Sequence, residues 1–238
     1  MKDAPNALMQ TEDFEMGALS LADNYRAALV KEFSPYFLGN VLEVGAGIGQ
    51  ITEGLLRCPD VTRLVSVEPY PPFYDELIAK FPNHTIIKGT IDDVKSNDDW
   101  NAIVNFNVLE HIKDDERELK SYHERLQKNK GTLCLFVPAR PELYSMIDRD
   151  FAHFRRYTKP ELRQKLLRAG FEIVRLRYYN FVSYFAWLLI FRIFKRRHFN
   201  PKSVLFFDRH IFPLVYAFES GVCAPFVGLS LLAVARAK

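Results

Sequence analysis

The sequence predicts an α/β fold, a doubly wound and mostly parallel seven-stranded sheet with a helical insertion before the last strand. From residue 41 onward, apolar runs typical of strands alternate with helical patterns. Because these runs are largely apolar, they indicate a parallel sheet that is covered on both faces. A chain of 238 residues, 48% hydrophobic and 26% charged, can bury the core of one large domain. We therefore expect a single three-layer domain over residues 1–238.

The first half of the chain supplies five strands and the helices between them. The strands are predicted at VLEVGA, VTRLVSVEPY, HTIIKG, AIVNFNVL and GTLCLFVPA. GQITEGLLRC opens one helix, and PPFYDELIAKF begins another with prolines that suit a first turn. DDERELKSYHERLQKN predicts a helix with a charged, exposed face before the fifth strand.

The second half has a less regular pattern. Residues 138–158 show no clean period and predict a long loop. KPELRQKLLRAGF predicts a helix that starts near Pro160 and ends at Gly170. FEIVRLRYY predicts the sixth strand, and GLSLLAVARA the last one, either central or at an edge. Between these two strands, residues 180–220 form an aromatic-rich insertion.

A glycine-rich turn after the first strand carries the main functional signal. Gly45, Gly47 and Gly49 permit a sharp turn and let a ligand lie against bare backbone at the start of a helix. Their G-x-G-x-G spacing differs from the G-x-G-x-x-G that seats a pyrophosphate. Glu43 would repel a diphosphate but can anchor the ammonium of an amino-acid-like ligand. Glu68 ends the second strand, where a carboxylate can accept hydrogen bonds from both ribose hydroxyls of a nucleoside.

Charge is unevenly distributed along the chain. Residues 1–120 hold 11 Lys and Arg against 21 Asp and Glu, whereas residues 121–238 hold 21 against 8. The second half therefore suits an anionic partner, such as a phosphorylated or carboxylated substrate, a lipid headgroup or a nucleic acid. The alternative is that the two halves neutralise each other across the fold.

The cysteines and the amino terminus indicate a cytoplasmic protein. Cys58, Cys134 and Cys223 are far apart and form no C-x-x-C pair, so we expect buried thiols in a reducing compartment. The first 16 residues are polar and acidic and lack the basic flank and apolar stretch of a secretory signal.

Four motifs occur in order between residues 40 and 140: VLEVGAGIGQ, VSVEPY, NVLEHI and GTLCLFVPA. They resemble the successive motifs of class I S-adenosylmethionine-dependent methyltransferases. LYSMIDRDFAHFRRYT, LRQKLLRAGF and PFVGLSLLAVARA further resemble a bacterial subgroup with an FRRYT-type loop, often encoded among polysaccharide or natural-product pathways. The resemblance implies a Rossmann-like methyltransferase fold. It divides the chain into an amino-terminal cap helix (1–38), a cofactor-binding core (39–140) and a substrate-side half (141–238).

The same resemblance implies S-adenosylmethionine as the cofactor and a set of residues that hold it. Glu43 and the glycine turn would hold the methionine portion, Glu68 the ribose, and Asn107 the methionine amino group. After the third strand, GTIDDV replaces the usual Gly-Asp-Ala or Gly-Asp-Leu, so the adenine contact falls to the Ile91 amide or shifts to Asp92. The full expected set is Glu43, Gly45, Ala46, Gly47, Gly49, Glu68, Pro69, Thr90, Ile91, Asp92 and Asn107.

Two histidines are candidate general bases. Methyl transfer from a sulfonium needs mainly an aligned acceptor, but a hydroxyl acceptor benefits from a base with a pKa near neutrality. His111 follows the cofactor-binding strand, and His153 lies on the long loop, where substrate residues tend to lie. A histidine that only packs or caps a helix is the alternative for His111.

Four further residues are candidate substrate contacts. Arg155 and Arg156, with Tyr157 beside them, can bind a phosphate or carboxylate, although ordinary ion pairing is the alternative. Tyr25, on the amino-terminal helix, could lie over the reacting methyl group or simply fill the core. We expect no metal ligands.

Residues 181–199 of the insertion are apolar on all sides for about 11 residues, whereas a span across a bilayer needs ~20. The basic residues that follow, Arg192 and residues 195–197, would let this segment lie on an anionic membrane surface or cover an apolar acceptor. We favour a core helix or a dimer contact instead, because pockets and interfaces are also built from aromatic-rich patches. Both a monomer and a homodimer remain open.

We therefore expect a methyltransferase that acts on a small molecule or glycan at oxygen, and whether the acceptor is anionic or lipid-linked stays open. One alternative is a nicotinamide-dependent oxidoreductase, which the glycine spacing and Glu43 disfavour. Another is a non-catalytic cofactor-binding module. A nucleic-acid substrate is not expected, because no basic tract with interleaved aromatic residues occurs.

Overall fold

Seven strands form one sheet in the computed structural model, which describes residues 21–95, 99–221 and 225–238. The strands are β1 (Gly39–Val44), β2 (Val61–Glu68), β3 (Thr85–Lys88), β4 (Ala102–Phe106), β5 (Thr132–Pro138), β6 (Phe171–Tyr179) and β7 (Ser230–Ala237). Their order is β3-β2-β1-β4-β5-β7-β6. Strand β7 runs antiparallel to β5 and β6, and the other pairings are parallel. The doubly wound, mostly parallel sheet is confirmed, and the last strand is central.

Helices cover both faces of the sheet. They are α1 (Asp23–Phe33), α2 (Thr52–Leu56), α3 (Pro71–Lys80), α4 (Asp115–Leu126), α5 (Met146–Asp150), α6 (Lys159–Arg168), α7 (Phe181–Trp187), α8 (Pro201–Phe206) and α9 (Phe212–Gly221). Helices α7 and α8 continue as the π-helical segments Leu188–Ile193 and Phe207–Ile211. The predicted insertion is thus helical. No described helix is both long and apolar enough to cross a membrane.

Alternating side chains of the strands fill two cores. On β1, Leu42 and Val44 pack into the core that α4 and α6 cover, whereas Val41 packs into the core that α1 and α9 cover. Cys134 on β5 is a buried free thiol and Cys58 is half-buried. The predicted cap region is represented by α1, whereas residues 1–20 and Cys223 lie outside the described residues.

Local capping explains where the helices of the second half begin. Helix α6 has a capping box in which the Glu161 N–H donates to Thr158 Oγ1 at 3.2 Å, with Pro160 in the first turn. Gly170, with φ of 99°, follows the helix as predicted. The prediction of a continuous loop over residues 138–158 is wrong, because this segment contains helix α5. Ser145 and Asp148 form the capping box of this helix, which is too short for a hydrophobic period to reveal.

Two buried carboxylates of the insertion hold it in place, one against α1 and the other against the first residue of the insertion. Asp208 accepts from the Tyr25 N–H at 2.9 Å and the Asn24 N–H at 3.0 Å, in the first turn of α1. Glu219 accepts from the Asn180 N–H at 2.9 Å, where α7 begins. The insertion therefore holds α1 beside β5 and β6 at the carboxyl end of the sheet.

Candidate active site

The glycine-rich turn after β1 has a left-handed backbone at each glycine. The φ angles of Gly45, Gly47 and Gly49 are 72°, 56° and 80°. A Cβ on Gly45 would lie 2.4 Å from Val108 Cγ2, and one on Gly49 would lie 2.4 Å from Phe81 Cε2. Only glycine combines this backbone with so little space. The turn therefore packs directly against the segment after β4 and the residue after α3.

Backbone amides of this turn already have acceptors within the protein. The Gly45 and Ala46 N–H groups donate to the Val67 carbonyl at 2.9 and 3.1 Å. The Gly47 N–H donates to Glu68 Oε2 at 2.7 Å. A pyrophosphate is held by backbone amides that are free to donate to it. The geometry therefore weighs against a dinucleotide and favours a ligand without a diphosphate.

Glu68, at the end of β2, can accept more hydrogen bonds than it receives from the protein. Its Oε1 accepts from the Tyr70 N–H at 2.9 Å, and its Oε2 from Gly47. Each carboxylate oxygen offers two lone pairs, so one on each oxygen remains. Burial raises the pKa of Glu68. Pro69, between these contacts, is exposed. This is the acceptor chemistry that a ribose diol requires.

Glu43 is buried beneath the turn and held by two hydroxyl groups. Its Oε2 accepts from Thr52 Oγ1 at 2.7 Å and from Ser66 Oγ at 2.6 Å. Ser66 Oγ also lies 2.9 Å from His84 Nε2. Burial raises the pKa of Glu43 to about 7, partly offset by the two hydroxyl donors. The sequence did not indicate Thr52 and Ser66 as partners of Glu43, or His84 as a neighbour of Ser66, because the three belong to different elements and carry no common motif.

Asn107 lies where the sequence places it, directly after β4. Its backbone is left-handed, with φ of 55°, and the residue is exposed. Its N–H donates to the Phe136 carbonyl on β5 at 2.7 Å. Val108, the next residue, packs against Gly45. Asn107 and the glycine turn are therefore neighbours at the carboxyl edge of the sheet.

The residues proposed for adenine form a short turn after β3. Thr90 Oγ1 accepts from the Asp92 N–H at 3.3 Å, and the Thr90 N–H donates to Asp93 Oδ2 at 2.8 Å. The Asp92 carboxylate is directed to Arg117 Nη2, 3.0 Å away on α4. The Ile91 side chain is buried in the core. The Ile91 amide and Asp92 both stay predictions for the adenine contact.

The two candidate bases lie side by side although they are far apart in the chain. The ring centroids of His111 and His153 are 4.6 Å apart and their planes cross at 85°. His111 ends a 3-10 turn that begins two residues after Asn107. Desolvation by the surrounding protein atoms, and then the neighbouring His153, lowers the pKa of His111 to about 3, although the residue as a whole keeps exposed surface.

A buried carboxylate that the sequence analysis did not single out lies beside the two rings. Glu110 is fully buried, and His153 Nε2 lies 4.0 Å from its Oε1. Burial raises the pKa of Glu110 to about 7. On the other side of the His153 ring, Nδ1 lies 3.1 Å from Asp148 Oδ1. The NVLEHI motif contains Glu110, but its burial depends on the distant residues around α5.

The predicted substrate contacts Arg155, Arg156 and Tyr157 each have a partner within the protein. Arg156 is buried, with Nε 2.7 Å from Asp148 Oδ1. The Tyr157 hydroxyl donates to Asp115 Oδ2 at 2.8 Å, and Arg155 Nη1 lies 2.8 Å from the same oxygen. These internal partners account for Arg156 and Tyr157 without a substrate. Arg155 is half-buried.

Tyr25 lies in an aromatic cluster under α1. Its ring meets those of Phe136, Tyr179 and Phe212 edge-on, at centroid distances of 6.4, 6.0 and 5.2 Å. Burial raises the pKa of its hydroxyl. These contacts favour the core alternative, although Phe136 is also the residue that accepts the Asn107 N–H.

Two features define a class I S-adenosylmethionine-dependent methyltransferase. One is the sheet order with an antiparallel β7, and the other is a glycine turn whose Gly47 amide donates to Glu68. The chain belongs to the methyltransferase-domain family, whose model matches residues 20–176. S-adenosylmethionine is accordingly its cofactor. The family match decides against both the nicotinamide-dependent oxidoreductase and the non-catalytic module.

Solved structures share this fold at low sequence identity. One is a chain in the complex between the Haloferax volcanii Trm112 methyltransferase activator and a candidate methyltransferase, with 17% identity and a TM-score of 0.63 over 99% of this chain and 96% of that chain. Another is a candidate methyltransferase from Bacillus halodurans, with 19% identity, a TM-score of 0.58 and coverage of 87% and 97%. A third is an S-adenosylmethionine-dependent methyltransferase from Clostridium acetobutylicum, with 12% identity, a TM-score of 0.56 and coverage of 90% of both chains. The comparison with curated proteins found no match.

Proposed function

We propose that the enzyme methylates an oxygen atom of a small-molecule or glycan acceptor. The observation that carries this proposal is the pairing of His111 and His153 beside the segment that begins at Asn107. A hydroxyl acceptor must lose its proton when the methyl group arrives, and an imidazole near the acceptor can accept that proton. The lowered pKa of His111 keeps its ring neutral but makes it a weak base. An amine that attacks through its lone pair has less need of an imidazole.

The residues around the glycine turn fit the cofactor. Glu68 has a free lone pair on each oxygen for the two ribose hydroxyls, and the exposed Asn107 can meet the methionine amino group. The turn from Gly45 to Gly49 would lie along the methionine portion, and the Ile91 amide or Asp92 would meet the adenine. The bound cofactor supplies a methyl group that its sulfonium already activates. The chain must then align the acceptor with that methyl group.

The insertion favours a lipid-linked or otherwise apolar acceptor at an anionic membrane surface. Phe194 and Leu214 are 69% and 73% exposed. Lys195 and Arg196, which follow Phe194, are exposed as well. Apolar side chains beside basic ones are the combination that anionic lipid surfaces attract. A cytoplasmic location and a monomeric or homodimeric state remain predictions from the sequence.

The test uses methyl-labelled S-adenosylmethionine and extracts of the source cells, followed by mass spectrometry of the labelled product. We expect one major product with its label on oxygen. Glu68→Ala, which removes the proposed ribose acceptor, should reduce the labelled product at least tenfold at limiting cofactor. Glu53→Gln, an exposed carboxylate paired with Arg57, is the matched control and should retain activity. A label on nitrogen or carbon would contradict the oxygen assignment.

A further inference from the structure

Glu110 is a buried carboxylate without a hydrogen bond from any other described residue. Its side chain has no exposed surface, and apart from the Glu110 backbone N–H no donor among the described residues reaches either oxygen. Buried polar groups are almost always paired, so an orphaned pair of carboxylate oxygens calls for an explanation. The groups in front of the Glu110 carboxylate, His111 and His153, indicate what the partner is.

The hydrogen bonds of His153 show which of its nitrogens is already engaged. Asp148 Oδ1 lies 3.1 Å from Nδ1 and also accepts from Arg156 Nε at 2.7 Å. An ionised carboxylate accepts only, so Nδ1 carries a proton and donates it to Asp148. Nε2 is the remaining nitrogen and lies 4.0 Å from Glu110 Oε1, which is too long for a hydrogen bond. A metal ion between the two would bind Nε2 in its unprotonated form.

His111 completes a three-ligand set. A backbone hydrogen bond to Phe151 engages one side of its ring, which leaves the other nitrogen available. One ligand atom from each of Glu110, His111 and His153 can be chosen so that all lie within 4.8 Å of one another. Bonds of about 2.1 Å to a common ion place tetrahedral donors about 3.4 Å apart, so the most distant donor atoms must approach each other by up to about 1.4 Å.

We propose that Glu110, His111 and His153 bind a divalent first-row transition-metal ion on the acceptor side of the site. Two imidazoles and one carboxylate form the ligand set that such ions prefer, with open positions left over. The Asp148–His153 hydrogen bond is the outer-shell contact that fixes a ligating imidazole. Because His111 is exposed whereas Glu110 is buried, the open positions face solvent.

The inference rests on the proposed function for what the ion does there. An acceptor hydroxyl that occupies an open position binds through its oxygen, and its pKa falls. The proton passes to water, the oxygen lone pair forms the bond to the methyl carbon, and the sulfur keeps the electron pair of the broken bond. The two histidines then act as metal ligands rather than as free bases. Asp148 is a positioning residue.

The first experiment measures metal binding without any acceptor. Full-length protein is stripped with a chelator and titrated with Mn²⁺ and Zn²⁺ by calorimetry, and bound metal is counted by mass spectrometry. We expect one ion per chain, with affinity reduced at least about 100-fold in Glu110→Gln and His153→Gln and 10–100-fold in Asp148→Asn. His210→Gln removes an exposed histidine of the insertion and should bind as the wild type does.

Binding of S-adenosylhomocysteine shows which variants are folded, and His111→Gln provides a ligand variant at an exposed position. Failure to bind either ion, or equal binding by the wild type and all ligand variants, would overturn the metal site. An ion pair between protonated His153 and Glu110, without a metal, predicts that result. Since binding is measured without turnover, this failure is distinguishable from a failure of methyl transfer to oxygen.

Discussion

At the scale of single residues, Glu43 links the stability of the glycine turn to pH. Its carboxyl group is buried, and desolvation raises its pKa to about 7, compared with about 4.3 in an unfolded chain. A carboxyl group whose pKa is raised by folding stabilises the fold below about pH 4.3. That contribution is lost as the pH rises through about 7.

Glu43→Gln should remove this pH dependence, because glutamine stays neutral and keeps an oxygen for Thr52 and Ser66. Urea unfolding at a series of pH values gives the free energy of unfolding of both proteins. We expect the wild type to lose ~3 kcal/mol relative to the variant between about pH 4 and pH 8. Glu53→Gln changes an exposed carboxylate and should parallel the wild type. Parallel curves for Glu43→Gln would contradict the assignment.

Residue positions were predictable where the chain marks the ends of parallel strands. Gly45, Glu68 and Asn107 each follow or end a strand, and parallel strands bring such positions to one edge of the sheet. Ser66 offered no signal, because a polar residue inside an apolar strand has many explanations. Glu110 stood in a quoted motif, but its isolation from hydrogen-bond partners depends on packing that spacing cannot show.

At the scale of elements, α1 depends on a cap from the other end of the chain. Ala22, at its N-cap position, provides no side-chain hydrogen bond. Asp208, in the π-helical segment after α8, instead accepts from the N–H groups of Asn24 and Tyr25. A carboxylate in this position satisfies two orphan donors and complements the helix dipole.

Asp208→Asn should destabilise the fold by about 1–2 kcal/mol, because one amide donor loses its acceptor and the charge at the helix start is removed. The midpoint of urea unfolding measures the loss. Asp99→Asn is the matched control. Asp99 forms an exposed pair with Lys128 at 2.6 Å, and such pairs contribute about 0–1 kcal/mol. Equal midpoints for the two variants would exclude the capping role.

Elements with a long hydrophobic period or a proline start could be located from the sequence, and short ones could not. Strand β6 coincides with the predicted run, and α6 begins and ends at its predicted signals. Helix α5 has five residues, fewer than two turns, so no period was visible. Its capping box, Ser145 with Asp148, was the only available signal, and it is also what positions His153.

At the scale of the whole molecule, the sheet was predictable because burial on both faces requires apolar strands. The arrangement of the elements proposed to face the acceptor was not predictable. These elements are α1, α5 and the insertion, which contact one another through single carboxylates such as Asp208 and Glu219. Such contacts join residues that are far apart in the chain, by 184 positions for Asn24 and Asp208 and by 39 for Asn180 and Glu219. A sequence read segment by segment contains the partners but not their pairing.

The same insertion leads to a prediction for the whole molecule at a membrane. The purified protein should bind vesicles that contain phosphatidylglycerol more tightly than vesicles of phosphatidylcholine alone, and added salt should weaken the difference. Co-sedimentation measures both. The double variant Phe194→Ser, Leu214→Ser should reduce binding at least about fivefold, because it removes apolar side chains that would enter the headgroup region.

Leu38→Ser is the control, because Leu38 is 50% exposed but lies between α1 and β1, outside the insertion. It should bind vesicles as the wild type does. Light scattering of the same samples reports the mass in solution. The exposed side chains would instead form a protein interface if the wild type is a homodimer that binds no vesicles and the double variant is a monomer. Binding by the double variant equal to that of the wild type would exclude the insertion as the membrane contact.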